Sequence, residues 1–175
     1  MERADFNTVK ALIHMFVEQD HIKNRLDMIY TNKISDWEKW LQLELEFYIS
    51  HHDSITEIER EVRYPCDRRK NKTNINMFID LKIRRKRCKK NSYIFIELKC
   101  AKSACSLLSK MESDISKVLS IKQSADVSRS FWCVGFYTKP NQSDKNKVQN
   151  QLNEYVYRHH GTIHIPSGEI GVIII

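Results

Sequence analysis

The chain predicts an α/β fold: a mixed β-sheet core flanked by helices, in the order α-β-β-β-α-β, with extra helices at the N-terminus. Three observations predict it. Residues 76–83 and 92–100 alternate apolar and polar with period two, as half-buried strands do. Helical apolar stripes lie on either side of this pair. A run rich in aromatic and β-branched residues, 130–138, follows the second stripe, and a strand, helix, strand succession implies a crossover and some parallel pairing.

With 175 residues, 41% of them hydrophobic, the chain suits one domain with one core. Residues 1–34 form a helical extension, 35–138 the core, and 139–175 a C-terminal helix and closing strands. No apolar run is long enough to span a bilayer and Met1-Glu2-Arg3 opens no signal-peptide pattern, so a cytoplasmic protein with no membrane partner is expected. Cys66, Cys88, Cys100, Cys105 and Cys133 form no Cys-x-x-Cys pair, which fits reduced thiols better than a disulfide framework. The net charge of +7 is concentrated in Arg68, Arg69, Lys70 and Lys72 and in Arg84, Arg85, Lys86 and Arg87 with Lys89 and Lys90. Such clusters suit phosphate backbones, or serve as solvated turns.

In chain order, Val9, Leu12, Ile13, Phe16, Leu26 and Ile29 recur at helical spacing and predict one interrupted helix or two. Ser35-Asp36 reads as the cap of a further helix, on which Trp37, Trp40, Leu41, Phe47 and Tyr48 make an apolar stripe with Glu44 inside it. A carboxylate on a buried stripe is costly unless paired or bound to a cation, so Glu44 is the candidate and Glu46, on another face, is taken as solvent-facing. His51-His52-Asp53 reads as a polar helix end, because adjacent residues seldom converge on one ion. Residues 55–64 suit a first strand ended by Pro65.

In the next two strands, Ile79, Leu81 and Ile83 are expected on the core face, with Asp80 and Lys82 opposite. Ile94, Ile96 and Leu98 likewise oppose Glu97 and Lys99, so Asp80 falls beside Glu97 and Lys99. Residues 103–121 place Leu107, Leu108, Met111, Ile115 and Val118 on one helical face, with Asp114 and Lys117 at its edge as an ordinary surface ion pair. After the strand at 130–138 come a helix to about Arg158 and two short strands.

Asp80 in Phe-Ile-Asp-Leu-Lys, Glu97-Leu98-Lys99 as a Glu-x-Lys element, and Glu44 on the preceding helix together resemble the PD-(D/E)XK nuclease superfamily, the restriction endonuclease-like fold. The likeness covers roughly Trp37 to Val134, and Ile79 stands where the name-giving proline would be. The resemblance implies a metal-dependent nuclease acting on nucleic acid, DNA first, with Glu44, Asp80, Glu97 and Lys99 as the catalytic set. Chemistry agrees: phosphodiester hydrolysis needs charge neutralisation and hydroxide near neutral pH, and Mg2+ (or Mn2+ in its place) held by carboxylates provides both. Asp80 and Glu97 would hold the ion with the Leu98 carbonyl, Glu44 a bound water or a second ion, and Lys99 would position or activate the attacking water. The two basic clusters would grip the backbone. Dimerisation suits a duplex cutter, although no stretch offers a seam. The structural alternative is a cross-strand ion pair, Lys99 with Asp80 or Lys82 with Glu97. The functional alternative is a catalytically silent nucleic-acid-binding module on the same scaffold.

Overall fold

A computed structural model describes residues 2–67, 76–118, 121, 126–138, 142–155, 159–165 and 170–175, with only the backbone described at 105, 117, 127 and 144. The elements run α1 (Glu2–Val17), α2 (Asp20–Thr31), α3 (Glu38–Ser50), β1 (Ile55–Pro65), β2 (Asn76–Arg85), β3 (Ser92–Ala101), α4 (Ala104–Val118), β4 (Val127–Thr138), α5 (Gln142–Glu154), β5 (Gly161–His164) and β6 (Ile170–Ile174). The strands form one sheet in the order β1-β2-β3-β4-β6-β5. β3 and β4 pair in parallel, joined across α4, and the other neighbours are antiparallel. This is the mixed, helix-flanked sheet that the alternating segments predict.

Alternation along β3 separates the two faces. Ile94, Ile96 and Leu98 bury among Leu12, Phe16, Leu26, Leu41 and Leu45 of α1 to α3, each such side chain contributing about 2 kcal/mol of apolar burial. Cys133, Tyr137 and Ile173 pack on the opposite face with Leu107, Met111 and Leu152 of α4 and α5. No helix among the described residues is long and apolar enough to cross a membrane.

The expected alternation breaks at one place. The β1–β2 ladder pairs Arg60 with Leu81 and Val62 with Ile79, skipping Glu61 and Asp80. Glu61 of β1, opposite Asp80, has φ 54, a left-handed backbone outside the strand region. Across this step Leu81 and Ile83 pack toward α1 to α3, whereas Ile79 joins Tyr64, Tyr93 and Phe95 on the other face. The expectation that Ile79, Leu81 and Ile83 share one face is corrected accordingly. The β2–β3 ladder runs from Ile83↔Ile94 to Leu81↔Ile96 and ends there, one step short of Asp80 and Glu97. The strands thus fork where the two acids stand.

The helix before the sheet also differs from expectation. It starts at Glu38 with Trp37 as the N-cap residue and no side-chain cap, so Ser35-Asp36 does not cap it. Its buried stripe is Leu41, Gln42, Leu45 and Ile49, while Phe47 is 66% exposed. On the other face, α4 approaches the sheet over Gly135, where an added Cβ would lie 2.6 Å from Met111 Sδ. Gly135 is the β4 neighbour of Lys99, so this close approach brings α4 over the end of the Glu-x-Lys strand.

Candidate active site

The fork between β2 and β3 collects charge from both helix layers. With the ladder ended, Asp80 Oδ2 accepts from the Leu98 amide at 2.7 Å, and Oδ1 accepts from Gln42 Nε2 at 3.0 Å. Gln42 comes from α3 and is itself buried. One turn earlier on the same helical face, Glu38 Oε2 accepts from the Cys100 amide at 2.9 Å. From the other layer, Asp114 of α4 is buried and its Oδ2 lies 3.2 Å from Lys99 Nζ.

Lys99 lies between these acids. Its ammonium donates to Glu97 Oε1 and to the Leu98 carbonyl, both at 3.0 Å, and is 3.9 Å from Glu38 Oε1. Burial alone would lower the Lys99 pKa, but Glu97, Glu38 and Asp114 outweigh it and hold the ammonium above its ordinary value. Lys99 is therefore a fixed cation near neutral pH. Burial followed by the charge of Asp80 pushes Glu97 up to about 7, against the opposing pull of Lys99. Asp80 is raised as well, mainly by burial, although the Leu98 N–H opposes this. Glu97 Oε2 is buried with no hydrogen-bond partner among the described residues. An orphaned carboxylate oxygen in such surroundings invites a proton or a cation.

Two other buried charge clusters lack this imbalance. Asp5 is fully buried and accepts from Arg129 Nε at 2.7 Å, Arg85 Nη1 at 3.3 Å and Ser130 Oγ at 3.2 Å. Lys82 is buried between Glu59 at 2.7 Å and Asp126 at 2.9 Å, with Tyr64 donating to the same Asp126 oxygen. Lys82 thus does form a cross-strand pair, with Glu59 rather than with Glu97. At the fork, by contrast, Glu38, Glu97 and Asp114 gather around one ammonium, and the charge of Asp80 acts on Glu97 beside them. Lys39 acts on Asp80 from further away and is itself paired with Glu61.

Of the residues singled out from the sequence, the structure brings Asp80, Glu97 and Lys99 together. It does not bring Glu44 to them. Gln42 points at Asp80, and Glu44, two residues on, is about 200° further around the helix at 3.6 residues per turn. The Glu44 carboxylate instead accepts from Trp40 Nε1 at 3.2 Å, in a cleft with His21, Phe47 and His51. Glu38 takes the place at the fork that Glu44 was expected to fill. The exposed Phe47 had drawn the apolar stripe to the wrong side. Glu46 is paired with Arg60 at 2.7 Å, so it is not simply solvent-facing. Asp114 is no surface pair: it interrupts the stripe of Met111 and Ile115 on the face that meets Lys99, the same signature that directed attention to Glu44. The Leu98 carbonyl is already engaged by Lys99.

Of the two basic clusters only the second is described. Arg68, Arg69, Lys70 and Lys72 lie outside the described residues. Arg84 is paired with Glu57 at 2.8 Å and Arg85 with Asp5, whereas Lys86 and Arg87 are exposed in the turn. Glu97 is five residues along β3 from Ser92, where that strand leaves the turn, a distance of about 17 Å.

For a divalent ion the donor set fits in part. Asp80 and Glu97 supply two raised carboxyls and one orphaned oxygen, but among the described residues no three His, Cys, Asp or Glu side chains converge to hold a metal. Compared with protein-family models, curated proteins and solved structures, the chain matches none.

Proposed function

We propose that the protein is a metal-dependent nuclease hydrolysing phosphodiester bonds, DNA first, at the β2–β3 fork. The observation that carries this reading is the buried, unpartnered Glu97 Oε2 in an acid surplus that Lys99 alone does not balance. The α3-β1-β2-β3-α4-β4 order, with β3 and β4 parallel, supports a restriction endonuclease-like arrangement. Asp80 and Glu97 would hold Mg2+ or Mn2+, and the ion would supply charge neutralisation and a more acidic water. Lys99, kept protonated by its acids, would stabilise the charge developing on the scissile phosphate rather than act as a base. Gln42 and the Leu98 amide orient Asp80, and Glu38 and Asp114 orient Lys99.

The silent nucleic-acid-binding reading draws on a different observation: Lys99 already lies between Glu97 and Asp114, and among the described residues no three potential ligands converge. Incubation with plasmid and linear DNA, with and without Mg2+ or Mn2+, separates the two. The nuclease reading expects metal-dependent cleavage that falls by about 10²–10⁴-fold in Lys99→Ala. Equal cleavage by wild type and Lys99→Ala sinks it. Metal-indifferent DNA binding without cleavage of any substrate establishes the silent module.

A further inference from the structure

A second concave feature adjoins the fork. A cleft of about 570 Å³ lies between the α2–α3 connection, the end of β3 and the start of α4. Trp37 and Ile34 give it an apolar lining, and Lys33, Lys102 and Lys110 line it with their side chains exposed. None of the three lysines pairs with a carboxylate of a described residue, and among the described residues no carboxylate lines the cleft. By contrast, Lys82, Arg84, Arg85, Lys99 and Arg129 of the sheet and Lys39 of α3 are each paired with an acid. Three ammonium groups without a carboxylate partner among the described residues make the mouth of this concavity attractive to an anion. The apolar lining between them suits a flat, weakly polar body carried by that anion, and the volume is that of a small-ligand site.

The cleft adjoins the fork through Cys100. Cys100 lines it, and the Cys100 amide is the group that holds Glu38, whose other oxygen faces Lys99. A strand whose phosphate lay at Lys99 would have its neighbouring nucleotide within reach of this cleft, whereas the basic turn at Lys86 and Arg87 is at the other end of β3.

We propose that this cleft receives a nucleotide of the nucleic-acid strand, base and sugar against Trp37 and Ile34 and phosphates at Lys33, Lys102 and Lys110, a site that rests on the nuclease reading for the identity of its ligand. It makes the lysine cleft, rather than the hairpin turn, the main phosphate grip.

The test is binding of a short fluorescent single-stranded DNA oligonucleotide in the absence of divalent metal, read by anisotropy across a salt series. The charge reversal Lys33→Glu/Lys102→Glu/Lys110→Glu is compared with Lys10→Glu/Lys145→Glu/Lys147→Glu, which changes net charge equally on α1 and α5. The cleft variant is expected to bind at least about tenfold more weakly than the control and to flatten the dependence of log K on log salt by about 2, three phosphate contacts at roughly 0.7 each. Thermal melts check folding, and the corresponding Lys→Gln set replaces the reversals if they unfold the protein. Binding by the cleft variant as tight as the control's overturns the proposal. Loss of binding in the cleft variant, from a wild type that cleaves nothing, keeps the nucleotide cleft and removes the nuclease reading. Lys99-dependent cleavage with unimpaired binding by the cleft variant does the reverse.

Discussion

The two ends of the β2–β3 pair carry similar amounts of charge and treat it in opposite ways. At the turn end, Arg84, Arg85 and Arg129 each meet an acid, and the fully buried Asp5 has every oxygen engaged. At the fork end, three carboxylates share Lys99, and Glu97 keeps a buried oxygen without a hydrogen-bond partner among the described residues. Balanced charge holds the fold together, and unbalanced charge is what a folded protein retains for a ligand. At the turn end Arg84 and Arg85 are thus engaged by acids, while Lys86 and Arg87 stay exposed.

The largest expected effect that would break this comparison is on activity. Asp80→Asn and Lys99→Ala should each cut metal-dependent cleavage by about 10²–10⁴-fold while leaving the fold in place, as checked by single-turnover assay and circular dichroism. Retained activity in Asp80→Asn would place the chemistry elsewhere. At the balanced end, Asp5→Ala should cost about 3–5 kcal/mol in urea denaturation, because it strands Arg85 and Arg129 in a site built for a carboxylate. A loss below about 1 kcal/mol would mean that this end is not held by its pairs.

Close packing sets the next effect. Gly135→Ala should cost about 1–3 kcal/mol and lower cleavage as well, since the new methyl meets Met111 and Leu107 and displaces the helix that carries Asp114. Stability loss with unchanged activity would show that Asp114 is not needed at Lys99.

A smaller effect is pH-dependent and has the opposite sign from ordinary acid denaturation. Glu97 is raised to about 7 in the fold, above its ordinary value of 4.5. Between those values the folded protein holds a proton that the unfolded chain has lost, so stability without metal falls as pH rises through this window. Glu97→Gln should remove that slope and raise Tm at pH 8 by a few degrees, at about 2–4 °C per kcal/mol for a chain of this size. Mg2+ should stabilise wild type more at pH 8 than at pH 5.5, because the ion needs the ionised carboxylate. A Tm insensitive to Mg2+ at both pH values would favour the silent module.

The smallest effect sharpens the choice of helix acid. Glu44→Ala should change cleavage by no more than about twofold, within the roughly 0.5 kcal/mol expected of a substitution away from such features. Glu38→Ala should reduce it several-fold by freeing Lys99 and the Cys100 amide. The reverse order would return Glu44 to the site.

By itself, the sequence determined the elements, the helix-flanked mixed sheet and the juxtaposition of Asp80, Glu97 and Lys99. Each of these follows from local periodicity and chain order: period two puts Glu97 and Lys99 on one side of β3, and a strand, helix, strand succession requires a crossover. Only the tertiary structure decided which helix acid reaches them, because the choice between Glu38 and Glu44 depends on how α3 is rotated against the sheet. The exposed Phe47 in the apparent stripe concealed that rotation. Contacts across the sheet likewise decided that Asp114 is buried against Lys99, that the ladder skips Glu61 and Asp80, and that Arg84 and Arg85 pair with Glu57 and Asp5. Periodicity is a property of one segment, whereas the pairing of a charge depends on which distant segments come to lie around it. The acids could be found in the sequence, but whether they were balanced could be seen only in the folded chain.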